Sequence, residues 1–317
     1  MATKVNYIKT TGTLNCHGGF EHNINFYNCV GTFGFGNGFG EFPCFSTDIS
    51  ITNSKGTINI SNCGKLTVSN GVYNIRGGDH VGSKTHEILI ENSNLNFMQS
   101  SIDILGGTRN GNVSKIFQLK DCNISFTPND TSSVFQFGFK NFDILKFNGC
   151  KFKAGSYVLI IQDNENFEIS NSDIENLNIR LYNSSSIKQL QRISIKNNNL
   201  MFSDSFHVRL GVIQDSLINI ANLSNVSNGV IEIENNTIRC FDSTVGRAFR
   251  LVELGYSPTN VTAMLVIRNN KLLAKTSGGM EVGLPTNTTA WGINTIVKGN
   301  LLDSNVTKNS AYDFTVQ

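Results

Sequence analysis

Charge is scarce in this chain. Asp, Glu, Lys and Arg make up 16% of its 317 residues and sum to +2 at pH 7. Bulk attraction to nucleic acid or to an acidic polymer is therefore not expected. No basic cluster interleaved with aromatics appears, which also disfavours a nucleic-acid partner. Proline is as sparse, with four residues, and that suits long runs of paired strand, because proline cannot donate to a ladder. No window is long and apolar enough to span a membrane. The opening Met1-Ala2-Thr3-Lys4-Val5-Asn6 has none of the apolar stretch of a cleavable signal. The seven cysteines are an odd number, and a chain with this much apolar content has no need of a disulfide framework.

What the chain has instead is a recurring phrase. Ile193-Ser194-Ile195-Lys196-Asn197-Asn198-Asn199-Leu200 returns as Ile231-Glu232-Ile233-Glu234-Asn235-Asn236-Thr237-Ile238 and as Leu265-Val266-Ile267-Arg268-Asn269-Asn270-Lys271-Leu272. Looser copies begin at Phe167, Leu145, Phe117 and Ile88, and Ile296-Val297-Lys298-Gly299-Asn300 is a degenerate last one. Recurrence along a whole chain fixes the architecture before any local reading is made.

Two columns of the aligned phrase carry the physics. The first holds Asn28, Asn53, Asn62, Asn70, Asn92, Asp121, Gly149, Asn171, Asn197, Asn235, Asn269 and Gly299. Asn, Asp and Gly reach positive φ most cheaply, so this column predicts a backbone bend in the left-handed region. The second holds Cys29, Ser54, Cys63, Gly71, Ser93, Cys122, Cys150, Ser172, Asn198, Asn236, Asn270 and Asn300. All are small and most can hydrogen-bond. They suit an inward corner position stacked on its counterpart in the next rung. Cys29, Cys63, Cys122 and Cys150 then form a reduced, buried stack.

The apolar residues around the bend alternate with period two, so each phrase reads as strand, tight bend, strand. From Asn70 onward the bends are 22, 29, 28, 22, 26, 38, 34 and 30 residues apart. That is too far for hairpins and too short throughout for strand–helix–strand units. It fits one coil of a β-solenoid per repeat, with outward loops absorbing the excess.

Apolar-x-apolar-x-Asn-Asn-x-apolar at this spacing resembles the right-handed parallel β-helix of the pectin-lyase-like superfamily, over roughly residues 50–300. The resemblance implies an all-β, single-stranded parallel β-helix of roughly ten coils. The superfamily holds polysaccharide lyases and hydrolases, phage tailspikes and tail-fibre proteins, and adhesins. The expected organisation is an N-terminal cap with a Gly/Phe-rich segment over 1–47, the β-helix over 48–300 and a C-terminal cap over 301–317.

A second strand aligns in many coils, often ending in Gly, as in Ile102-Asp103-Ile104-Leu105-Gly106 and Val252-Glu253-Leu254-Gly255. The middle residues predict one exposed stripe of Asp103, Gln136, Ile160, Arg180, Arg209, Glu253 and Glu281, with His207 and Arg250 one outward position away. Neighbouring rungs would bring Glu253 and Glu281 about 5 Å apart, the spacing of a retaining glycosidase's carboxylate pair. Arg209 and Arg250 would then bind an anionic sugar, or simply balance the glutamates on a solvated ladder. Tyr256 and Trp291 lie in long connections, where an exposed aromatic stacks on a sugar or packs against a neighbour. The candidate glycan-binding set is thus Asp103, Gln136, Arg180, His207, Arg209, Arg250, Tyr256 and Trp291, with Glu253 and Glu281 as catalytic candidates.

Other constellations carry less. Cys16, His17, His22 and Cys29 match no zinc spacing, so neither a metal nor a cofactor is expected. Asp79-His80 and His86-Glu87 read as a solvated loop, and Gly31 to Gly40 as a Phe-packed coil. No Gly-x-Ser-x-Gly elbow is present. The galacturonase branch of the superfamily carries an Asp-Asp pair and a Gly-His-Gly, and this chain has neither. The calcium-binding carboxylates of the pectate-lyase branch have no clear counterpart. Asp163 and Glu165 come nearest and read as a turn. The resemblance therefore implies a structural or receptor-binding β-helix of the phage-tail kind, a homotrimer among other virion proteins, facing a cell-surface polysaccharide. A polysaccharide-degrading enzyme is the alternative. The expected location is the virion, or else the extracellular side.

Overall fold

The computed structural model describes residues 3–16, 22–35, 44–60, 63–77, 84–85, 87–98, 101–106, 115–126, 135–153, 157–183, 191–202, 216–223, 229–240, 249–254, 264–275, 280–282 and 295–308. They form strands stacked into three parallel sheets of twelve, twelve and nine strands. The first sheet runs from Thr3–Ile8 to Thr295–Lys298, the second from Thr11–Cys16 to Leu301–Leu302, and the third from Lys84–Thr85 to Val306–Lys308. In the full coils the chain passes through first, second and third sheet and then returns to the first, one rung higher. This is a parallel β-helix.

The bend between the first and second sheets is always two residues long. In one rung Arg192–Lys196 and Asn199–Phe202 flank Asn197 and Asn198. Asn28, Asn53, Asn70, Asn92, Asp121, Asn171, Asn197, Asn235 and Asn269 have φ between 48° and 58°, and Gly149 and Gly299 have φ of 67° and 66°. The predicted bend column is thus observed, with Asn62 outside the described residues. Lys9, at φ 54°, supplies the same bend in the first rung. No side-chain preference favours a lysine there, so the column of Asn, Asp and Gly did not include it.

The second column stacks as expected and holds the corner together. The Asn236 Oδ1 accepts hydrogen bonds from the backbone N and the Nδ2 of Asn198, at 2.9 and 3.0 Å. Its own Nδ2 donates to the Ile195 carbonyl at 2.8 Å. Asn270 and Asn300 repeat the pattern one and two rungs on. Lower in the stack hydroxyls do the same work: Ser172 Oγ accepts from the Cys150 N, and Ser54 Oγ from the Cys29 N. Cys29, Cys122 and Cys150 are buried free thiols on this ladder. Cys63 is not: it opens the strand Cys63–Ser69, and Gly71 holds the corner of that rung. Asn62-Cys63 imitates the motif, but only nine residues after Asn53-Ser54, too few to go once around.

Inside, apolar side chains align from rung to rung. Phe117, Leu145, Phe167, Ile193, Ile231 and Leu265 share one register column of the first sheet, and all are at most 1% exposed. Phenylalanines fill the middle rungs, where Phe117, Phe137, Phe139 and Phe147 meet with ring centroids 4.2–6.1 Å apart. Such a stack removes a continuous apolar seam from water, which no single coil does alone.

The coil boundaries differ from those read in the sequence. Residues from Thr3 already form stacked strands of the first two sheets, so the span 1–47 is largely helix rather than cap. At the far end Leu301–Leu302 and Val306–Lys308 extend two sheets past residue 300. The early rungs are narrow. Among the described residues the third sheet begins only at Lys84, and the strand Lys55–Ile60 is followed almost at once by Cys63–Ser69. Gly31 lies in this close stack, where a Cβ would sit 1.8 Å from the carbonyl oxygen of Gly12. Period-two alternation is weak in Val30-Gly31-Thr32-Phe33-Gly34-Phe35, which hid these strands.

Candidate functional site

The three sheets are not equivalent. The first and second are joined by the invariant two-residue bend, which leaves no room for insertion. From Lys84 onward, the variation in connection length between described strands falls at the two ends of third-sheet strands. The tightest coil needs only Asn176, at φ 52°, to pass from Asp173–Glu175 into Leu177–Asn183. The corresponding connection elsewhere runs from Phe126 to Phe135, or from Phe202 to Ser216. Returning to the first sheet, the chain needs only Asn141, Phe142 and Asp143 in one coil, but spans Leu254 to Met264 and Val282 to Thr295 in others. Sequence that varies in length on a rigid scaffold is where binding and catalysis concentrate. The third sheet and its flanking connections are therefore the candidate site.

Backbone register fixes the stripe on this sheet. Asp103, Gly138, Ile160, Arg180, Asn219 and Glu253 occupy successive rungs of one column. Asp103, Ile160, Arg180 and Glu253 therefore stand as expected. Gln136 instead lies opposite Ser101. Phe135-Gln136-Phe137 and Phe137-Gly138-Phe139 alternate equally well, and the second triplet makes the rung. Arg209 does not take its place in the column, because the rung is the strand Ser216–Leu223 and Asn219 holds the position.

Glu253 and Glu281 do not face each other. Glu281 is in register with Arg250, three residues before Glu253. That offset is roughly 10 Å along the strand, on top of one rung between them. The two-carboxylate geometry drawn from equal spacing is thus not formed by the backbone. Ser216 stands opposite Arg250 on the other side. His207, Arg209, Tyr256 and Trp291 lie outside the described residues, as do His17, His80 and His86. By chain position His207 and Arg209 fall in the connection before Ser216, and Tyr256 and Trp291 in connections returning to the first sheet.

Arg180 is half-buried, and its Nε donates to Asn178 Oδ1 at 3.3 Å. Asn178 is wholly buried, and its Nδ2 donates to the Ser216 carbonyl at 2.7 Å. Asn178, Ser216 and Asn219 were not singled out from sequence. Asn178 precedes Arg180 by two residues on an alternating strand, and that spacing was the available signal. Asp163, at φ 52°, and Asn164 form the expected turn: Asn164 Oδ1 accepts from the Phe142 N at 2.6 Å, and its Nδ2 donates to the Phe139 carbonyl at 2.8 Å.

The other two faces are built differently. The first sheet carries ion pairs across rungs: Lys65 with Glu87 at 3.1 Å, Lys146 with Glu168 at 3.2 Å, and a network of Arg192, Lys196, Glu232, Glu234 and Arg268. Burial raises the Glu232 carboxyl. The hydrogen bonds and charges of Lys196 and Arg192 outweigh it, so the net direction is down. The second sheet instead carries side-chain amide bonds between rungs, with Asn123 Nδ2 donating to Asn94 Oδ1 and Asn96 Nδ2 to Asn74 Oδ1, at 2.7 and 3.2 Å. Among the described residues no group of three or more His, Cys, Asp or Glu is placed to hold a metal. No helix there is long and apolar enough to cross a membrane.

Comparison with protein-family models, with curated proteins and with solved structures finds no match to this chain.

Proposed function

We propose that the chain is a structural, receptor-binding β-helix, a tailspike or tail-fibre component of a phage virion, which presents the third sheet and its connections to a cell-surface polysaccharide. The observation that carries the reading is the confinement of length variation to the two corners flanking that sheet. A rod with one variable face and two constant faces suits presentation. The long grain of the sheet, with rungs about 4.8 Å apart, suits an extended polymer better than a compact ligand. The resemblance to the pectin-lyase-like β-helix, stated above from the repeat, supports the same class. A carboxylate-pair hydrolase on Glu253 and Glu281 is disfavoured by their register.

The deciding experiment pairs light scattering on a sizing column with binding of the purified chain to an array of bacterial surface polysaccharides. A mass near three times 34.8 kDa and retention of at least one polysaccharide without its cleavage are expected. A monomer that retains no polysaccharide would overturn the proposal.

A further inference from the structure

Arg180 sits in the middle of the candidate face, and among the described residues no acid pairs with it. Among the described residues its one polar contact is the Nε hydrogen bond to Asn178. Its register neighbours are Ile160 on one side and Asn219 on the other, neither of them an acid. A guanidinium stays charged at any working pH, and a half-buried charge is expensive unless an oxyanion pairs with it. The first sheet meets that need with glutamates at Lys146, Arg192, Lys196 and Arg268. Among the described residues the third sheet does not meet it at Arg180.

The arginine is also built in, not left loose. Asn178 is 0% exposed, and its two polar ends are committed, Oδ1 to Arg180 Nε and Nδ2 to the Ser216 carbonyl. Holding Nε in this way leaves both Nη groups as a fork with no partner among the described residues.

We infer that Arg180, oriented by the buried Asn178, binds the carboxylate of an acidic sugar unit in the polysaccharide. The planar carboxylate matches the two Nη donors as a bidentate pair. This deepens the proposed reading of the face and rests on it.

The test uses the full chain and two probes, uronic-acid-containing oligosaccharides and the same oligosaccharides with their carboxyls reduced to alcohols, measured by titration calorimetry. The unaltered chain binds the acidic form and loses about 10–100-fold in affinity for the reduced form, the worth of one charge-assisted contact. Arg180→Gln loses a similar factor for the acidic form only. Arg180→Lys, which keeps charge but not the fork, recovers little of it. Lys151→Gln, on the exposed second sheet, controls for net charge and leaves binding unchanged. Arg180→Gln and Arg180→Lys remove the donor to Asn178 Oδ1 and lower the melting temperature by a few degrees at most, so all variants are folded at the titration temperature. Equal binding of both probes, unmoved by Arg180→Gln, overturns the inference and leaves the glycan reading standing. Binding of neither probe, nor of any polysaccharide on the array, removes both.

Discussion

At the scale of single residues, the corner ladder sets the stability of the rod. Each Asn in it satisfies backbone and side-chain groups of the rungs on both sides, in a place closed to water. Removing one strands several partners at once. Asn236→Ala deprives the N and Nδ2 of Asn198 and the Ile195 carbonyl of their bonds to it, and the Asn270 Oδ1 of one of its two. Its cost is about 3 kcal/mol or more, because buried groups left unpaired carry the full desolvation penalty. Asn123→Ala removes a bond just as short, but on an exposed face, and costs less than about 0.5 kcal/mol. Urea unfolding of the two variants checks this, and equal losses would contradict the ladder's role.

The same corner silences its thiols. Burial, chiefly by desolvation, pushes Cys122 up to about 11 and Cys150 up to about 12. Only the thiolate reacts with alkylating agents, so iodoacetamide at pH 8 leaves both unmodified in the folded chain and labels them after unfolding. Peptide mass mapping reads the result. Both folded values lie above the ordinary 9.0, so the two thiols contribute stability fully below pH 9 and lose it as pH rises toward 11 and 12. This column was legible in the sequence because few residue types tolerate its backbone and its space. Cys63 was misplaced because a dipeptide carries no information about how far the chain has travelled.

At the scale of the strand, alternation made the strands visible but left their register open. A strand that reads apolar, polar, apolar over five or more residues can slide by two and keep its pattern. Gln136 was lost in that way, two residues from Gly138; Asn219 holds the position read for Arg209, and Glu281 pairs three residues away from Glu253. The Asn bend pins the first two sheets, and nothing in the sequence pins the third. Strand pairs of the first sheet also show why charge is sparse yet placed. Glu232 lies between Arg192 and Lys196, at 2.6 and 2.9 Å. Its folded carboxyl ionises below the usual 4.5, so the unfolded chain takes up its proton first on acidification. The stabilisation is complete above that ordinary value and disappears as pH falls through the lowered one. Glu232→Gln is therefore destabilising at pH 7, by on the order of 1 kcal/mol given the exposure of Arg192, and less so as pH falls below 4.5. Thermal melts at pH 7 and pH 3 test it. A difference as large at pH 3 as at pH 7 would assign the effect to packing instead.

At the scale of the whole molecule, the chain separates what must repeat from what can vary. A solenoid is stabilised by contacts between neighbouring coils, so a defect in the constant corner is felt by both neighbours. A lengthened connection at the third sheet is felt only as loop entropy. Lengthening a flexible loop is cheap, about 0.6 kcal/mol for each doubling. Four residues, Gly-Ser-Gly-Ser, inserted between Phe126 and Phe135 should therefore lower the melting temperature by a few degrees at most. The same four residues between Asn197 and Asn198 force the positive-φ residue and the ladder residue apart. They break the bonds from Asn198 to Asn236 and to the Ile169 carbonyl and offset Asn199–Phe202 from both adjacent strands. That variant fails to fold, or melts tens of degrees lower. Should both insertions be tolerated alike, the distinction between constant corner and variable face would fall, and with it the reason for placing function on the third sheet.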